Sequence, residues 1–224
     1  MNDVAVEAVS LAKIYPGNPP VSALRDATLQ VLKGERVAIL GRSGAGKSTL
    51  LNILGLLDAP TAGSYRLLGR DTSQLGGRAR DRMRAERLGF VFQSYHVLGR
   101  RTVTENVMLK LTTARVGVAN REDLTRSAIE NVGLSHRAHA LGQTLSGGEK
   151  QRLAVARAIV TTPPVLLADE PTGNLDDANA RAVLDLFDEQ ARRDVAVIVI
   201  THDDRTARWA DRVVELKDGR VVGA

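Results

Sequence analysis

The nine residues GRSGAGKST at 41–49 place three glycines, a lysine and neighbouring hydroxyls at G-x-x-x-x-G-K-S spacing, directly after the apolar run ERVAIL at 35–40. A strand, such a turn and then a helix aim several backbone N–H groups and the positive end of the helix dipole at one point. That arrangement cradles nucleotide phosphates. Gly41, Ser43, Gly44, Ala45 and Gly46 are the expected cradle. Lys47 is expected to neutralise the β and γ phosphates, Ser48 to offer its hydroxyl to Mg²⁺, and Thr49 to help position the same end of the nucleotide.

A magnesium-bound triphosphate needs a second acidic ligand and a group that activates water. VLLADE at 165–170 ends an apolar strand with two carboxylates, at the sheet edge where ligands of open α/β folds bind. Asp169 is the expected Mg²⁺-side residue, directly or through water, and Glu170 the expected general base. A third stretch, LSGGEKQ at 145–151, opens a helix with two glycines, although each costs about 1 kcal/mol relative to alanine in a helix. Ser146 and Glu149 fit an S-x-x-E capping box. The cap leaves Gly147 and Gly148 unexplained, and bare backbone beside an N-cap hydroxyl reads as a second anion-binding surface.

Strands alternating with helices must hold these residues. ERVAIL leads into a helix over KSTLLNILGLL, PVLLADE into one over DDANARAVLDLFDEQARR, and VAVIVITH is a third strand, as in parallel α/β sheets. From 94 to 160 little alternates with period two, while REDLTRSAIENVGL and GEKQRLAVARAIV have helical spacing, so this stretch reads as a helical insertion. The ends carry short strand-like pieces, ATLQVLKG and DRVVELKDGRVV, with glycine turns.

Composition narrows the function class. The 224 residues suit one domain with an inserted subdomain. The absence of cysteine removes disulfide frames and thiolate metal sites and suits a reducing compartment, the cytoplasm by default. The longest apolar runs, VAVIVI and LLNILGLL, fall far short of the roughly 20 residues a spanning helix needs. The N-terminus lacks the pattern of a secretory signal, so any membrane is expected to come through a partner. A net charge of +5 could attract nucleic acid, but RARDRMRAER at 78–87 interleaves acids with its arginines and aromatics are only 3%, so no nucleic-acid partner is expected. His136 and His139 read as surface residues, with no cysteine or carboxylate pair to complete a metal site.

Tyr15, GRSGAGKST, Gln93, LSGGE, VLLADE, GNLD and His202 occur in an order that resembles ATP-binding-cassette ATPases over essentially the whole chain. The resemblance implies an α/β P-loop NTPase fold: a RecA-like core with an antiparallel β subdomain over 1–93 and 161–224, and a helical subdomain with the signature over 94–160. It implies ATP and Mg²⁺ as cofactors and two chains paired head to tail, so that Ser146, Gly147 and Gly148 close on γ-phosphate held by the partner chain. Tyr15 is then expected to stack on adenine, Gln93 to reach the metal and water, His202 to contact γ-phosphate and orient the water of Glu170, and Asp176 to communicate across the dimer.

LGFVFQ and LADEPTGNLD resemble the lipoprotein-release and macrolide-export type. That type implies a homodimeric ATPase bound to a transmembrane permease at the cytoplasmic face of the membrane. The alternative within the subgroup is an ATPase that regulates a membrane partner and cell-wall hydrolases without moving a substrate. SYHVLGRRTVTENVMLKL departs from the commoner form, in which a Leu-Pro pair and a more apolar run are usual, in the region expected to meet the permease. A DNA-repair cassette would need long coiled-coil arms between P-loop and signature, and no sustained heptads occur there. A GTPase would need an Asn-Lys-x-Asp motif, which the sequence lacks.

Overall fold

A computed structural model describes residues 3–222. Its larger sheet has six strands: β3 (Arg36–Leu40), β6 (Leu88–Val91), β7 (Val165–Asp169), β8 (Ala196–Ile200), β9 (Arg212–Lys217) and β10 (Arg220–Val222). They lie in the order β10-β9-β3-β8-β7-β6, parallel except for β10 on β9. All five residues of β8 are buried. Ala196, Ile198 and Ile200 enter one core and Val197 and Val199 the other, because alternate side chains of a strand covered on both faces point to opposite layers. This is why VAVIVI is a continuous apolar run.

On the first face, α1 (Lys47–Leu54) and a second sheet close the core. That sheet is antiparallel, in the order β2-β1-β4-β5, from β1 (Val4–Tyr15), β2 (Val21–Leu32), β4 (Ala62–Leu67) and β5 (Arg70–Asp71). The sequence pointed only to short pieces at this end, whereas β1 and β2 each run 12 residues. Register shifts, with Ser10 and Asp26 at positive φ, break the two-residue alternation that would have marked such long strands.

On the other face, α3 (Val103–Thr113), α4 (Val118–Asn131), α5 (Gly147–Ile159) and α6 (Asp177–Ala191) build the second core. The arginine-rich stretch forms α2 (Gly77–Arg87), which buries only Met83 and pairs Arg82 with Glu86 and Arg84 with Asp81. His136 and His139 are exposed. No helix among the described residues is long and apolar enough to cross a membrane.

Candidate nucleotide site

The P-loop joins β3 to α1 as the sequence pattern requires. Gly46 is its N-cap at φ 101, and no side chain caps the helix, so the first N–H groups of α1 keep no intrahelical or side-chain acceptor. A β-carbon at Gly46 would run into the carbonyl oxygen of Ala23, so this glycine answers both to its backbone conformation and to the β2 strand lying against it. Lys47 Nζ donates to the carbonyls of Gly41 at 2.5 Å and Arg42 at 3.0 Å, which folds the ammonium back over the loop it follows.

The carboxyl ends of β7 and β8 bring three predicted residues together. Glu170, just past β7, adopts φ 46, a left-handed conformation that non-glycine residues adopt at a cost of roughly 1–2 kcal/mol. Its Oε1 lies 2.6 Å from Nδ1 of His202, just past β8, and its Oε2 accepts at 3.3 Å from the hydroxyl of the buried Thr201. The carboxylate side chain is 12% exposed and the imidazole 71%, so with Nδ1 engaged by Glu170 the Nε2 edge belongs to the open side of the site. Burial pushes the Asp169 carboxyl above its ordinary range, and the neighbouring Glu170 charge adds to this while Lys47 opposes it. Gln93 belongs to the same place: its Nε2 and the Cβ of Glu170 are both 3.9 Å from where a Gly173 β-carbon would stand.

The donor set fits Mg²⁺. Ser48, Gln93 and Asp169 carry a hydroxyl, an amide oxygen and a carboxylate, the hard oxygen ligands this ion takes. No cluster of three or more His, Cys, Asp or Glu that could hold a metal occurs among the described residues.

Tyr15 ends β1 opposite Val21, and its ring is more engaged than its sequence position suggests. The hydroxyl donates to Asp58 Oδ2 at 2.9 Å, Lys13 donates to Asp58 Oδ1 at 2.6 Å, and the Lys13 ammonium stands 4.9 Å from the ring centroid. Burial raises the Asp58 carboxyl, but hydrogen bonds from Lys13, the Ala59 N–H and Tyr15 overcome this and hold it below its ordinary value.

The signature opens α5 with the expected reciprocal box: Ser146 Oγ accepts from Glu149 N at 3.3 Å and Glu149 Oε2 from Ser146 N at 2.8 Å. The two glycines divide. Gly147 is exposed, with only the Tyr95 hydroxyl within 4 Å of a notional β-carbon. Gly148 is buried, and a β-carbon there would overlap the side-chain amide of Asn179 on α6. Gly148 therefore has a packing reason inside its own chain to lack a side chain, one that no local sequence pattern marks. Asp176 caps α6, its Oδ1 accepting from Asn179 N at 2.9 Å.

Other supporting residues carried no sequence signal. The buried Asn106 accepts from Leu98 N at 2.8 Å and donates to Leu98 O at 3.1 Å, holding the loop beyond Gln93. Arg157 of α5 donates to His96 O at 2.5 Å and Tyr95 O at 2.9 Å, clamping two successive non-glycine residues at positive φ. Only the fold brings these partners together.

A family model described as ABC transporter matches residues 24–173. The chain belongs to the ABC transporter family. The lipoprotein-releasing system ATP-binding protein LolD of Legionella pneumophila (strain Paris) is 45% identical over 222 residues, covering 98% of this cassette and 97% of that protein. The macrolide export ATP-binding/permease protein MacB of Chlorobium luteolum (strain DSM 273 / BCRC 81028 / 2530) is 44% identical over 219 residues. The cassette spans about a third of that relative's length, 33%. A solved dimeric ATP-binding cassette in a post-hydrolysis state, bound to ADP and Pi, superposes with a TM-score of 0.90 at 35% identity, covering 97% of each chain.

Proposed function

We propose that this cassette is the ATP-hydrolysing subunit of a membrane exporter of the lipoprotein-release or macrolide type, working as a head-to-tail dimer against a transmembrane permease at the cytoplasmic face of the membrane. The observation that carries hydrolysis is the 2.6 Å contact between Glu170 and His202 at the carboxyl edge of the sheet that also presents the P-loop. Glu170 takes the proton of the attacking water, and His202, held through Nδ1, turns Nε2 toward the γ-phosphate. Lys47 and the N–H groups from Gly41 to Thr49 hold the phosphates. Ser48, Asp169 and Gln93 would hold Mg²⁺, which neutralises phosphate charge when bound.

Tyr15 stacks on adenine, and Asp176 communicates between the two sites. Ser146, Gly147 and Gly148 close on nucleotide held by the second chain. Strand order supports that pairing: α5 packs on β6, which lies three positions from β3, roughly 14 Å at about 4.8 Å per strand. Residues 94–160 act as the helical unit that carries the signature, and the segment after Gln93 meets the permease. Similarity to a lipoprotein-releasing and a macrolide-export protein favours export over the regulatory alternative.

Replacing Glu170 with Gln tests the reading. Nucleotide affinity should persist, because Lys47 and the loop amides are untouched, while turnover falls by about 10²- to 10⁴-fold. The variant should collect as an ATP-bound dimer in light scattering behind size exclusion. Hydrolysis at the wild-type rate would remove Glu170 as the base.

A further inference from the structure

Among the described residues, three helices open with a side-chain cap bonded to the N–H three residues on, and one treats that third position differently. In α3 and α5 it is Glu105 and Glu149, whose carboxylates return to the N–H of the capping residue. In α6 it is Asn179, whose side chain does not return to that N–H. Its Nδ2 donates to Asp176 Oδ2 at 2.7 Å, and its Oδ1 accepts from Arg152 Nη1 of α5 at 2.9 Å. The two partners fix the amide orientation, since a carboxylate can only accept and a guanidinium can only donate. The same amide fills the space a side chain at Gly148 would need.

One small planar group thus touches the cap of α6 and two positions in the first two turns of α5. Aspartate would lose the donor and set a second charge beside Asp176, and leucine would fill the volume with neither polar atom.

We propose that Asn179 is a positioning residue that locks the first turns of the signature helix to the Asp176 cap within one chain. Resting on the reading of Ser146 and Asp176 as nucleotide-facing groups at a dimer interface, it makes those two surfaces a single unit. Displacing one at the interface displaces the other, and neither reaches the second chain's nucleotide in register without the brace. The P-loop lies outside this unit.

The test compares wild type with Asn179→Leu and Asn179→Asp, each alone and with Glu170→Gln. Hydrogen exchange read by mass spectrometry should show the 145–152 segment exchanging about tenfold faster in Asn179→Leu, with β3 and β8 unchanged. ATP affinity of the monomer should stay within about twofold, while ATP-driven dimerisation in the Glu170→Gln background and kcat each fall about tenfold. Gly148→Ala should reproduce the defect, and should add little once Asn179→Ala has cleared the space.

Unchanged exchange over 145–152, or unchanged dimerisation and kcat, would overturn the brace. Should Asn179→Leu loosen β3 and β8 as well, Asn179→Asp, with the same volume, decides by the same readouts. If the Glu170→Gln chain itself never dimerises with ATP, the dimer reading fails, and the exchange comparison still decides whether Asn179 holds the signature helix.

Discussion

Tyr15 shows how much a residue's role depends on atoms beyond its ring. Stacking calls on the face of the ring alone, and on that account phenylalanine would be neutral. The structure instead engages its hydroxyl with Asp58 and sets the Lys13 ammonium over one face of the ring. Tyr15→Phe should therefore weaken ATP binding slightly, by up to about 1 kcal/mol, through loss of one hydrogen bond. Tyr15→Ala should cost about 1–3 kcal/mol by analogy with aromatic–base stacking. Titration with a fluorescent ATP analogue checks both, and equal affinity for the wild type and Tyr15→Ala would return the ring to plain packing.

At the scale of an element, α3 carries a charge the fold tolerates poorly. Lys110 is half-buried, and its amine donates to Leu88 O at 3.1 Å. Burial, then the Arg84 and Arg157 charges, push its pKa down to about 8. An unfolded lysine titrates near 10.4, so between about pH 8 and 10.4 the unfolded chain holds a proton the native one has released. Stability contributed by this group therefore rises with pH across that window, and the penalty is fully present below about 8. Lys110→Met should stabilise the protein at pH 7 by roughly 1–2 kcal/mol, net of a lost hydrogen bond of about 1 kcal/mol. The gain should vanish by about pH 10. Urea midpoints at pH 7, 9 and 10 measure it, and a less stable variant at pH 7 would mean packing and the Leu88 contact outweigh desolvation.

At the scale of the whole molecule, the question is whether the signature serves its own chain's nucleotide or the partner's. Gly148→Asp is unsuited to answer it, because a side chain there strikes Asn179 within the same chain. Gly147 is open and serves instead. One tagged chain should carry Lys47→Ala and a differently tagged one Gly147→Asp, both with Glu170→Gln. Contact in trans concentrates both lesions in one composite site, so isolated mixed dimers should retain about one ATP, while either homodimer retains almost none. Mixed dimers that form but retain no ATP would place the signature on its own chain's site.

Local rules carried much of this protein in the sequence. The P-loop, the Asp169–Glu170 strand end, the Ser146 cap and the two-faced run of β8 are legible because hydrogen-bond spacing and side-chain period act over a few residues. Tertiary structure decided what depends on distant approach: the length of β1 and β2 across their bulges, the left-handed Glu170 set against His202, and the clamp of Arg157 on the loop beyond Gln93. It also decided why Gly148 is bare, since Asn179 meets Arg152 across 27 residues of chain. No local pattern encodes that meeting, because it exists only when α5 and α6 pack side by side on one face of the sheet.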